Sequence, residues 1–600
     1  MEDTNSLIEQ RKAKLAALRA KGIDPFKNKF TPDLGAGEAR AKFESGELAE
    51  HAKVSVAGRI TAHRDMGKSM FIDVRDQSGR IQCYAQKNTL GDDLFHTFTH
   101  LDLGDFVGVT GTLFHTKTNE PSIKLESFTI LAKALRPPPA KWHGLEDTEI
   151  RYRQRYLDLI ANPDVKEIFL KRSAIIHEIR SFFHERHYVE VETPAMQAIP
   201  GGAAAQPFKT FHNALGCEFY LRIALELYHK RLLVGGIDKL FEIGKNFRNE
   251  GLSRRHNPEF TMLEAYCAFG DYATMMETVE SLITTVAQKV LGTLKIEQRR
   301  DSELKTELCL LFGNLEEIRT ECLPSEALKS LWSEWITNVL NEIRSCLERV
   351  GKQPSSEIAI QAKNSVEEFR KNFEQTPNSK EYLAKYTGYH LHFKRNILER
   401  LVKLELLSKP HFIDLTPPWP RCSYKDLVRN KVREKTDGKI ADWFELPPDQ
   451  RRRIANDKLR IPGVLLVDED FEVTNAVFEK LIEPTLINPT FVTHLPKELV
   501  PLAKLSPDDP TTVEVFECCI NGQEISPGYT EQNDPIAQRT TLEHQAGGEQ
   551  QKLDEDFLVA LEHGMPPAGG IGIGIDRLCM MLLGQESIRD VILFPQLKPK

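Results

Sequence analysis

The chain has few cysteines, no long apolar run and no excess of basic residues. Its ten cysteines are scattered through 600 residues without a CxxC pair, so we expect buried free thiols rather than a zinc site or disulfide framework. No uninterrupted apolar stretch could cross a bilayer, and the opening MEDTNSLIEQ has no apolar signal region. We therefore expect a cytoplasmic protein with no membrane partner. The formal net charge of −8 excludes a generally basic coat, although a local basic face remains compatible with it.

One segment with a strand–loop–strand pattern stands out, FEIGKNFRNEGLSRRHNPEFTMLEAY at residues 241–266. Apolar and polar residues alternate in both arms, and Pro258 closes the polar loop between them. The alternation brings two carboxylates, a guanidinium and two aromatic rings to one surface. An arginine fork suits a phosphate and a flat aromatic ring suits a purine base. Taken alone, the segment is equally compatible with a solvated hairpin that carries chance charges.

A second hairpin is predicted within TVEVFECCINGQEISPGYTEQND, residues 512–534. The dipeptide Asn521-Gly522 between apolar runs is typical of a two-residue turn, which places Cys519 opposite Glu524. Glu517 then points to the same face as Glu524. Two carboxylates on one face can hold a Mg²⁺ ion, although they could also be a surface charge pair.

The glycine-rich segment GIGIGIDR, residues 570–577, is predicted to be a strand followed by a helix. Gly570, Gly572 and Gly574 alternate with isoleucines, so one strand face is bare and allows the close approach of a nucleotide. No GK[ST] sequence follows, which excludes a P-loop.

These segments carry a family resemblance. FRNEG followed by RHNPEFTMLE resembles the second signature motif of class II aminoacyl-tRNA synthetases in its lysine type. GIGIGIDR resembles the third motif, and YVEVETPAM, with its Pro194, resembles the first. With three motifs in the right order, the chain is identified as similar to the class II lysyl-tRNA synthetases. The resemblance implies an α+β fold, with an antiparallel sheet flanked by helices and preceded by an OB-fold β-barrel.

The resemblance also implies the roles of individual residues. The ATP-binding residues it implies are Arg248, Glu250, His256, Asn257, Phe260 and Arg577, of which Arg248 and Arg577 are the catalytic cations. The lysine-binding residues it implies are Gly202, Glu226, Glu264, Tyr266, Tyr529 and Glu531. It assigns the Glu517 and Glu524 pair to Mg²⁺ as the cofactor, with ATP as a substrate.

Two positions depart from the pattern of the family. Pro527 stands where members usually carry an asparagine that helps to bind the substrate carboxylate, and Gln532 stands where they carry a leucine. Pro527 has neither a side-chain amide nor a backbone N–H to offer in its place. How this chain binds the carboxylate is therefore open.

The rest of the chain is divided as follows. Residues 1–30 are expected to hold a basic helix, which could lie along RNA or pack on the next domain. Residues 31–145 show short strands typical of a small barrel, and the resemblance makes this the anticodon-binding domain. Its implied anticodon contacts are Phe71, as the base-stacking ring, with Arg64 and Gln82, although Phe71 could also belong to the barrel core.

Residues 146–600 are expected to form the catalytic domain, interrupted by an insertion at residues 299–411. LKIEQ and FIDLTPPW on either side could pair as neighbouring strands, with three to five helices inserted between them. Two interpretations of the insertion are open. It is an embellishment without chemistry, or it makes an extra contact to RNA or protein through its basic residues Lys394, Arg395 and Lys403.

The implied partners are tRNA(Lys), ATP, L-lysine and a second copy of the chain, paired through the helix and strand of the first motif. Three alternatives remain. A sibling synthetase for aspartate or asparagine is disfavoured by RHNPEFT and by the Glu531–Tyr266 pair. A lysyl ligase that modifies elongation factor P would lack the barrel, and a catalytically inactive RNA-binding relative would not need Arg248 and Arg577.

Overall fold

The chain folds into two compact units, residues 1–163 and 164–600. The structure is a computed structural model that describes residues 2–138, 145, 147–203, 205–321, 326–375, 387–409, 411–465, 468–546 and 553–599. Part of the proline-rich linker predicted at residues 135–144 lies outside these ranges. Among the helices that the structure describes, none has the length and apolar character needed to cross a membrane.

The first unit contains a five-stranded barrel and several short helices. Its elements are α1 (Glu2–Ala20), α2 (Ala36–Glu44), β1 (Lys53–Asp65), β2 (Ser69–Arg75), β3 (Arg80–Gln86), α3 (Lys87–Leu90), α4 (Asp92–Thr99), β4 (Phe106–His115), β5 (Pro121–Ala132), α5 (Thr148–Arg153) and α6 (Arg155–Ala161). The strands close in the order β1-β2-β3-β5-β4. Alternate side chains such as Val54, Val56, Ile72 and Val74 fill the interior, which confirms the predicted barrel.

The basic N-terminal helix is confirmed and packs within this unit. Arg11 is only 7% exposed. Its guanidinium donates to the carbonyl oxygens of Ala134 and Arg136, at 2.9 and 3.0 Å. Lys14 forms an ion pair with Asp102 at 2.6 Å. Arg11 therefore anchors the helix to the segment that follows the barrel, and Lys14 anchors it to the loop before β4.

The second unit is built on an eight-stranded sheet. The strands of the whole unit, in chain order, are β6 (Val189–Glu190), β7 (Met196–Gln197), β8 (Lys209–His212), β9 (Cys217–Leu221), β10 (Lys239–Phe247), β11 (Glu259–Ala268), β12 (Lys295–Glu297), β13 (Phe412–Asp414), β14 (Arg421–Ser423), β15 (Thr490–Thr493), β16 (Val515–Cys519), β17 (Glu524–Thr530) and β18 (Ala568–Gly574). The large sheet has the order β14-β15-β16-β17-β18-β11-β10-β6. It is antiparallel except at its two edges, where β14 pairs with β15 and β10 pairs with β6 in parallel.

The helices of this unit complete the predicted α+β fold. They are α7 (Pro163–Glu185), α8 (Glu226–Val234), α9 (Tyr272–Leu291), α10 (Asp301–Glu321), α11 (Glu326–Arg349), α12 (Ser355–Gln375), α13 (Thr387–Leu407), α14 (Tyr424–Lys435), α15 (Pro448–Asp457), α16 (Asp470–Leu481), α17 (Pro535–Ala546), α18 (Glu555–Glu562), α19 (Ile575–Leu582) and α20 (Ile588–Val591), with a 3₁₀ turn at Glu483–Thr485. In α7 the buried residues Ile175, Ile179, Phe182 and Phe183 recur at helical spacing. They join a core formed with α9, α19 and the sheet.

The insertion is a helical bundle with a core of its own. Its ends meet because β12 pairs with β13, with Ile296 opposite Ile413, which confirms the predicted neighbouring strands. Between them the described residues form four helices, α10 to α13, each packed on the next and the fourth on the first. The side chains of Lys394 and Arg395 lie outside what the structure describes, and Lys403 pairs with Glu307 at 2.9 Å.

The expectation of free cysteines is confirmed for the cysteines that the structure describes. The expectation that all are buried is wrong, because Cys217 and Cys309 are exposed. Cys217 begins β9 in a small, open three-stranded sheet, and Cys309 lies on the outer face of α10.

Candidate active site

The strand–loop–strand segment forms two adjacent strands of the large sheet, β10 and β11, between β18 and the edge strand β6. Asn246 lies opposite Phe260 and Glu242 lies opposite Glu264, so these residues share one face. The loop between the strands is closed by the backbone N–H of Arg248, which donates to the carbonyl oxygen of Pro258 at 2.8 Å. The polar face of this hairpin becomes the floor of a cleft.

We call this cleft the nucleotide cleft, after the prediction that its residues bind ATP. It contains every residue predicted to bind ATP, together with one carboxylate of the predicted metal pair. Its lining residues include Arg248, Glu250, His256, Asn257, Phe260, Glu524, Pro527, Gly574 and Arg577. The second and third sequence motifs and the second hairpin thus meet at one place.

Arg248 and Phe260 lie together on the cleft floor. The Arg248 guanidinium carbon is 5.2 Å from the centroid of the Phe260 ring. Its Nε donates to the carbonyl oxygen of Ile223 at 3.4 Å. Burial lowers the pKa of Arg248, and the Arg577 charge lowers it further. A partly desolvated cation beside an aromatic face can hold a phosphate next to a stacked base.

Arg577 lies across the cleft at the start of α19. One of its nitrogens is 3.1 Å from His256 Nε2, and another donates to the carbonyl oxygen of Glu524 at 3.2 Å. Burial and the charge of Arg577 lower the pKa of His256, which favours the neutral imidazole. This contact links the loop of the first hairpin to the glycine-rich strand.

Asn257 occupies the end of the same loop. Its amide nitrogen donates to the carbonyl oxygen of Glu259 at 2.6 Å and contacts Gln596 Oε1. Asn257 Oδ1 is buried and has no hydrogen-bond partner among the described residues. That oxygen is the acceptor that Asn257 can offer inside the cleft.

The predicted carboxylate pair lies on β16 and β17. Cys519 lies opposite Glu524, as expected, but a bulge follows, so Cys518 pairs with Ser526 and Glu517 lies opposite Pro527. Glu517 is half-buried, and its partial burial together with the charges of Glu524 and Glu483 raises its pKa well above the ordinary value. Glu483 also accepts a hydrogen bond from the Glu524 backbone N–H at 2.9 Å. Within the described ranges no cluster of three or more metal-ligating side chains is present.

Most of the residues predicted to bind lysine lie in a second, buried group, which we call the lysine pocket after that prediction. Tyr529 donates to Glu226 Oε1 at 2.7 Å. Lys230 Nζ lies 2.7 Å from the same Glu226 oxygen and 2.6 Å from Glu531 Oε2. Burial raises the pKa of Glu531 to about 8, although Lys230 opposes that shift. The pocket is therefore a dense group of buried charges.

Glu264 and Tyr266 form the other side of this pocket. Tyr266 donates to Glu264 Oε2 at 3.0 Å, and the Leu225 backbone N–H donates to Glu264 Oε1 at 3.1 Å. Burial raises the pKa of Glu264. His229 is wholly buried behind them, with Nε2 3.0 Å from Glu242 and Nδ1 3.9 Å from Glu264.

Two glycines make room for these side chains. Gly202 has a φ of +85°, and a Cβ there would lie 3.1 Å from the Ala224 Cβ and 3.5 Å from the Glu226 Cβ. A Cβ at Gly570 would collide with Glu531 Oε1 and with the Tyr266 ring. The bare strand face thus admits the lysine pocket at Gly570 and the nucleotide cleft at Gly574.

The two departures from the family pattern lie beside this site. Pro527 lines the nucleotide cleft on β17 and presents only its ring. Gln532 is buried and structural, because its N–H donates to Leu502 and its Oε1 accepts from Asp534, both at 3.0 Å.

The predicted anticodon residues lie on one side of the barrel in the first unit. The Phe71 ring stacks on Tyr84 with centroids 4.6 Å apart, and the Arg64 guanidinium lies 6.0 Å from the Phe71 ring. Phe71 is partly exposed, so it is not simply a core residue. Gln82 is buried, and its Oε1 accepts from Ser122 at 2.9 Å. Their roles in binding tRNA stay predictions.

Sequence reasoning missed three residues that the structure brings to these sites. Tyr84 extends the aromatic surface beside Phe71. Lys230 and His229 enter the lysine pocket from α8. The i, i+4 spacing of Glu226 and Lys230 was a usable signal for one ion pair, but the contact with Glu531 depends on the tertiary fold.

The mainly antiparallel sheet, its three motifs and the preceding barrel define a class II aminoacyl-tRNA synthetase. The family model for class II tRNA synthetases (D, K and N) matches residues 147–598, and that for the OB-fold nucleic acid binding domain matches residues 54–131. Lysine–tRNA ligases of Pelotomaculum thermopropionicum and Carboxydothermus hydrogenoformans are each 40% identical over all of this chain and 96% and 99% of their own length. That of Bacillus subtilis is 38% identical over all of this chain and 98% of its own. The chain therefore belongs to the class II lysine–tRNA ligase family.

Proposed function

We propose that this protein activates L-lysine with ATP and transfers the lysyl group to the terminal ribose of tRNA(Lys). The observation that carries the proposal is the buried group of Glu226, Glu264 and Glu531, whose carboxylates suit the two ammonium groups of lysine. The full-length similarity to lysine–tRNA ligases supports the same substrate.

Selection of lysine follows from the buried carboxylate of Glu531. Its Oε1 has no hydrogen-bond partner among the described residues and stands beside the Tyr266 ring, above Gly570. A long side chain with a terminal ammonium satisfies that oxygen, whereas a shorter or neutral one leaves it buried without a hydrogen-bond donor. Glu226, on the first turn of α8, anchors the α-ammonium group.

The chemistry needs positioning and charge stabilisation rather than a protein nucleophile. The lysine carboxylate attacks the α-phosphorus of ATP, which gives lysyl-adenylate and pyrophosphate. The tRNA hydroxyl then takes the lysyl group and releases AMP. Arg248 holds the α-phosphate as charge develops there, Phe260 stacks on the adenine, and Arg577 neutralises the outer phosphates.

Glu517 and Glu524 fit a divalent cation. Burial and the charges of neighbouring carboxylates raise the pKa of Glu517, so a bound cation would favour its ionised form. Two carboxylates plus phosphate and water oxygens meet the coordination that Mg²⁺ prefers. The bound ion would supply charge neutralisation for the triphosphate.

The barrel supplies the surface for tRNA, with Phe71 and Tyr84 as stacking rings for anticodon bases. A homodimer is supported by exposed apolar residues along the first motif and its helix, at Leu170, Val189 and Met196. The short strand β6, at the sheet edge, has one side left to pair with another chain. The protein works in the cytoplasm, where its substrates are.

Lysine-dependent ATP–pyrophosphate exchange tests the function directly, with aspartate, asparagine and ornithine as parallel substrates. Exchange with lysine alone is expected, and charging of tRNA(Lys) should follow. Exchange with aspartate or asparagine instead would identify a sibling specificity. No exchange in a folded protein that binds ATP would mean that Pro527 has disabled the site.

A further inference from the structure

Lys230 is an internal cation in the lysine pocket. Its side chain is wholly buried, and its Nζ lies 2.7 Å from Glu226 Oε1 and 2.6 Å from Glu531 Oε2. The same nitrogen donates to the carbonyl oxygen of Leu502 at 3.3 Å. Burial lowers the pKa of Lys230, but the charges of Glu226 and Glu531 outweigh this and raise it. Lys230 therefore stays charged inside the pocket.

The two carboxylates that Lys230 joins come from distant parts of the chain. Glu226 lies on α8, four residues before Lys230, and Glu531 directly follows β17. Both carboxylates contact the Lys230 Nζ atom, at 2.7 and 2.6 Å, so the two oxygens that it binds lie no farther apart than the sum of these distances. Each carboxylate keeps a second oxygen, and that of Glu531 is buried beside Tyr266 without a hydrogen-bond partner in the described part of the chain.

We propose that Lys230 is a positioning residue for lysine binding, which holds one oxygen of Glu226 and one of Glu531 so that the other oxygen of each faces a substrate ammonium group. The inference rests on the proposed function. It assigns Lys230 no contact with the reacting phosphate, since Lys230 is not among the residues of the nucleotide cleft.

A positive charge in a site for a substrate with two ammonium groups has a physical reason. Glu226, Glu264 and Glu531 form a buried trio of carboxylates, faced also by the hydroxyls of Tyr266 and Tyr529. Burial raises the pKa of Glu264 and of Glu531, so without a counter-ion these groups would take up protons rather than wait for substrate. The fixed ammonium of Lys230 lowers the pKa of Glu531 against the effect of burial and orients the carboxylate, and the two substrate ammonium groups supply the remaining positive charge.

The variant Lys230→Met tests this through steady-state pyrophosphate exchange. We expect the KM for lysine to rise about 10–100-fold, the range seen when the outer partner of a ligand residue is removed. The kcat and the KM for ATP should stay unchanged, because Arg248 and Arg577 are untouched. Lys230→Gln, which keeps a donor but no charge, should fall between. An unchanged lysine KM in a folded Lys230→Met protein would overturn the proposal.

A double-mutant cycle with Glu531→Gln separates positioning from a general loss of packing. If Lys230 acts through Glu531, the KM increases in Lys230→Met/Glu531→Gln should be less than multiplicative. Multiplicative effects would contradict the proposal. If the single Lys230 variants do not fold, the double variant is compared with Glu531→Gln instead, because the double variant removes both charges of the pair.

The chain offers a matched control in Lys133. That lysine is equally buried, contacts Asp102 and lies 2.8 Å from Asp105, within the first unit. Lys133→Met should lower the melting temperature as Lys230→Met does but leave the KM for lysine unchanged. If the unmodified protein shows no exchange with lysine, the proposed function fails. If it does, and Lys230→Met behaves like Lys133→Met, only the Lys230 assignment fails.

Discussion

Replacing Arg248 with alanine should slow lysine-dependent pyrophosphate exchange about 10²–10³-fold, the usual cost of losing one preorganised charge-stabilising donor. The guanidinium lies on the floor of the nucleotide cleft, 5.2 Å from the Phe260 ring centroid. It is directed to the place where negative charge grows on the α-phosphate during attack by the carboxylate.

The magnitude follows from the environment of Arg248. Burial lowers its pKa, which shows that bulk water screens this cation only partly. A unit charge about 4 Å away interacts by about 4 kcal/mol at an effective dielectric constant of about 20. Because ground-state ATP is also anionic, only the part that grows in the transition state accelerates the step. That part, about 3–4 kcal/mol, corresponds to the rate loss expected above.

The assay is exchange at saturating lysine and ATP, with Arg248→Lys and Lys245→Ala beside Arg248→Ala. Arg248→Lys keeps the charge but loses the planar fork, so it should recover only part of the rate. Lys245 lies on the same strand, is exposed and pairs with Glu259 at 3.7 Å, so its loss should change kcat little. A near-normal kcat in folded Arg248→Ala would refute the assigned role.

Three further outcomes are expected. Phe71→Ala should raise the KM for tRNA(Lys) in charging assays, because about 1–3 kcal/mol of base stacking is lost. It should leave exchange without tRNA unchanged. Burial raises the pKa of Glu586 to about 7. The contribution of Glu586 to stability therefore falls as the pH rises from about 4.5 to 7. Between pH 5 and 8, Glu586→Gln should have a higher melting temperature than the unmodified protein. Joining Glu297 to Phe412 by a short linker, without the insertion, should preserve exchange, because the strand ends pair and the bundle has its own core. Reduced tRNA affinity in that deletion would instead support an RNA contact for the insertion.

Local patterns were sufficient to predict most elements that build the site. Alternation in residues 241–266 predicted the strands β10 and β11. Asn521-Gly522 predicted the turn that sets Glu524 opposite Cys519. The bulge after that pair was not predicted, because one extra residue in a strand leaves no trace in apolar alternation. The small-residue run at 570–574 predicted a bare strand face, which the structure confirms.

The sequence by itself determined the family, the order of the motifs and the identity of the residues that line the nucleotide cleft, since these depend on residue types at fixed local spacing. Only the tertiary structure decided which charges meet. Lys230 reaches Glu531 across 301 positions because α8 and the end of β17 converge on one buried pocket. Gln82, a base contact implied by the family resemblance, is buried against Ser122. Burial and long-range pairing arise from packing many segments together, and no local spacing encodes them.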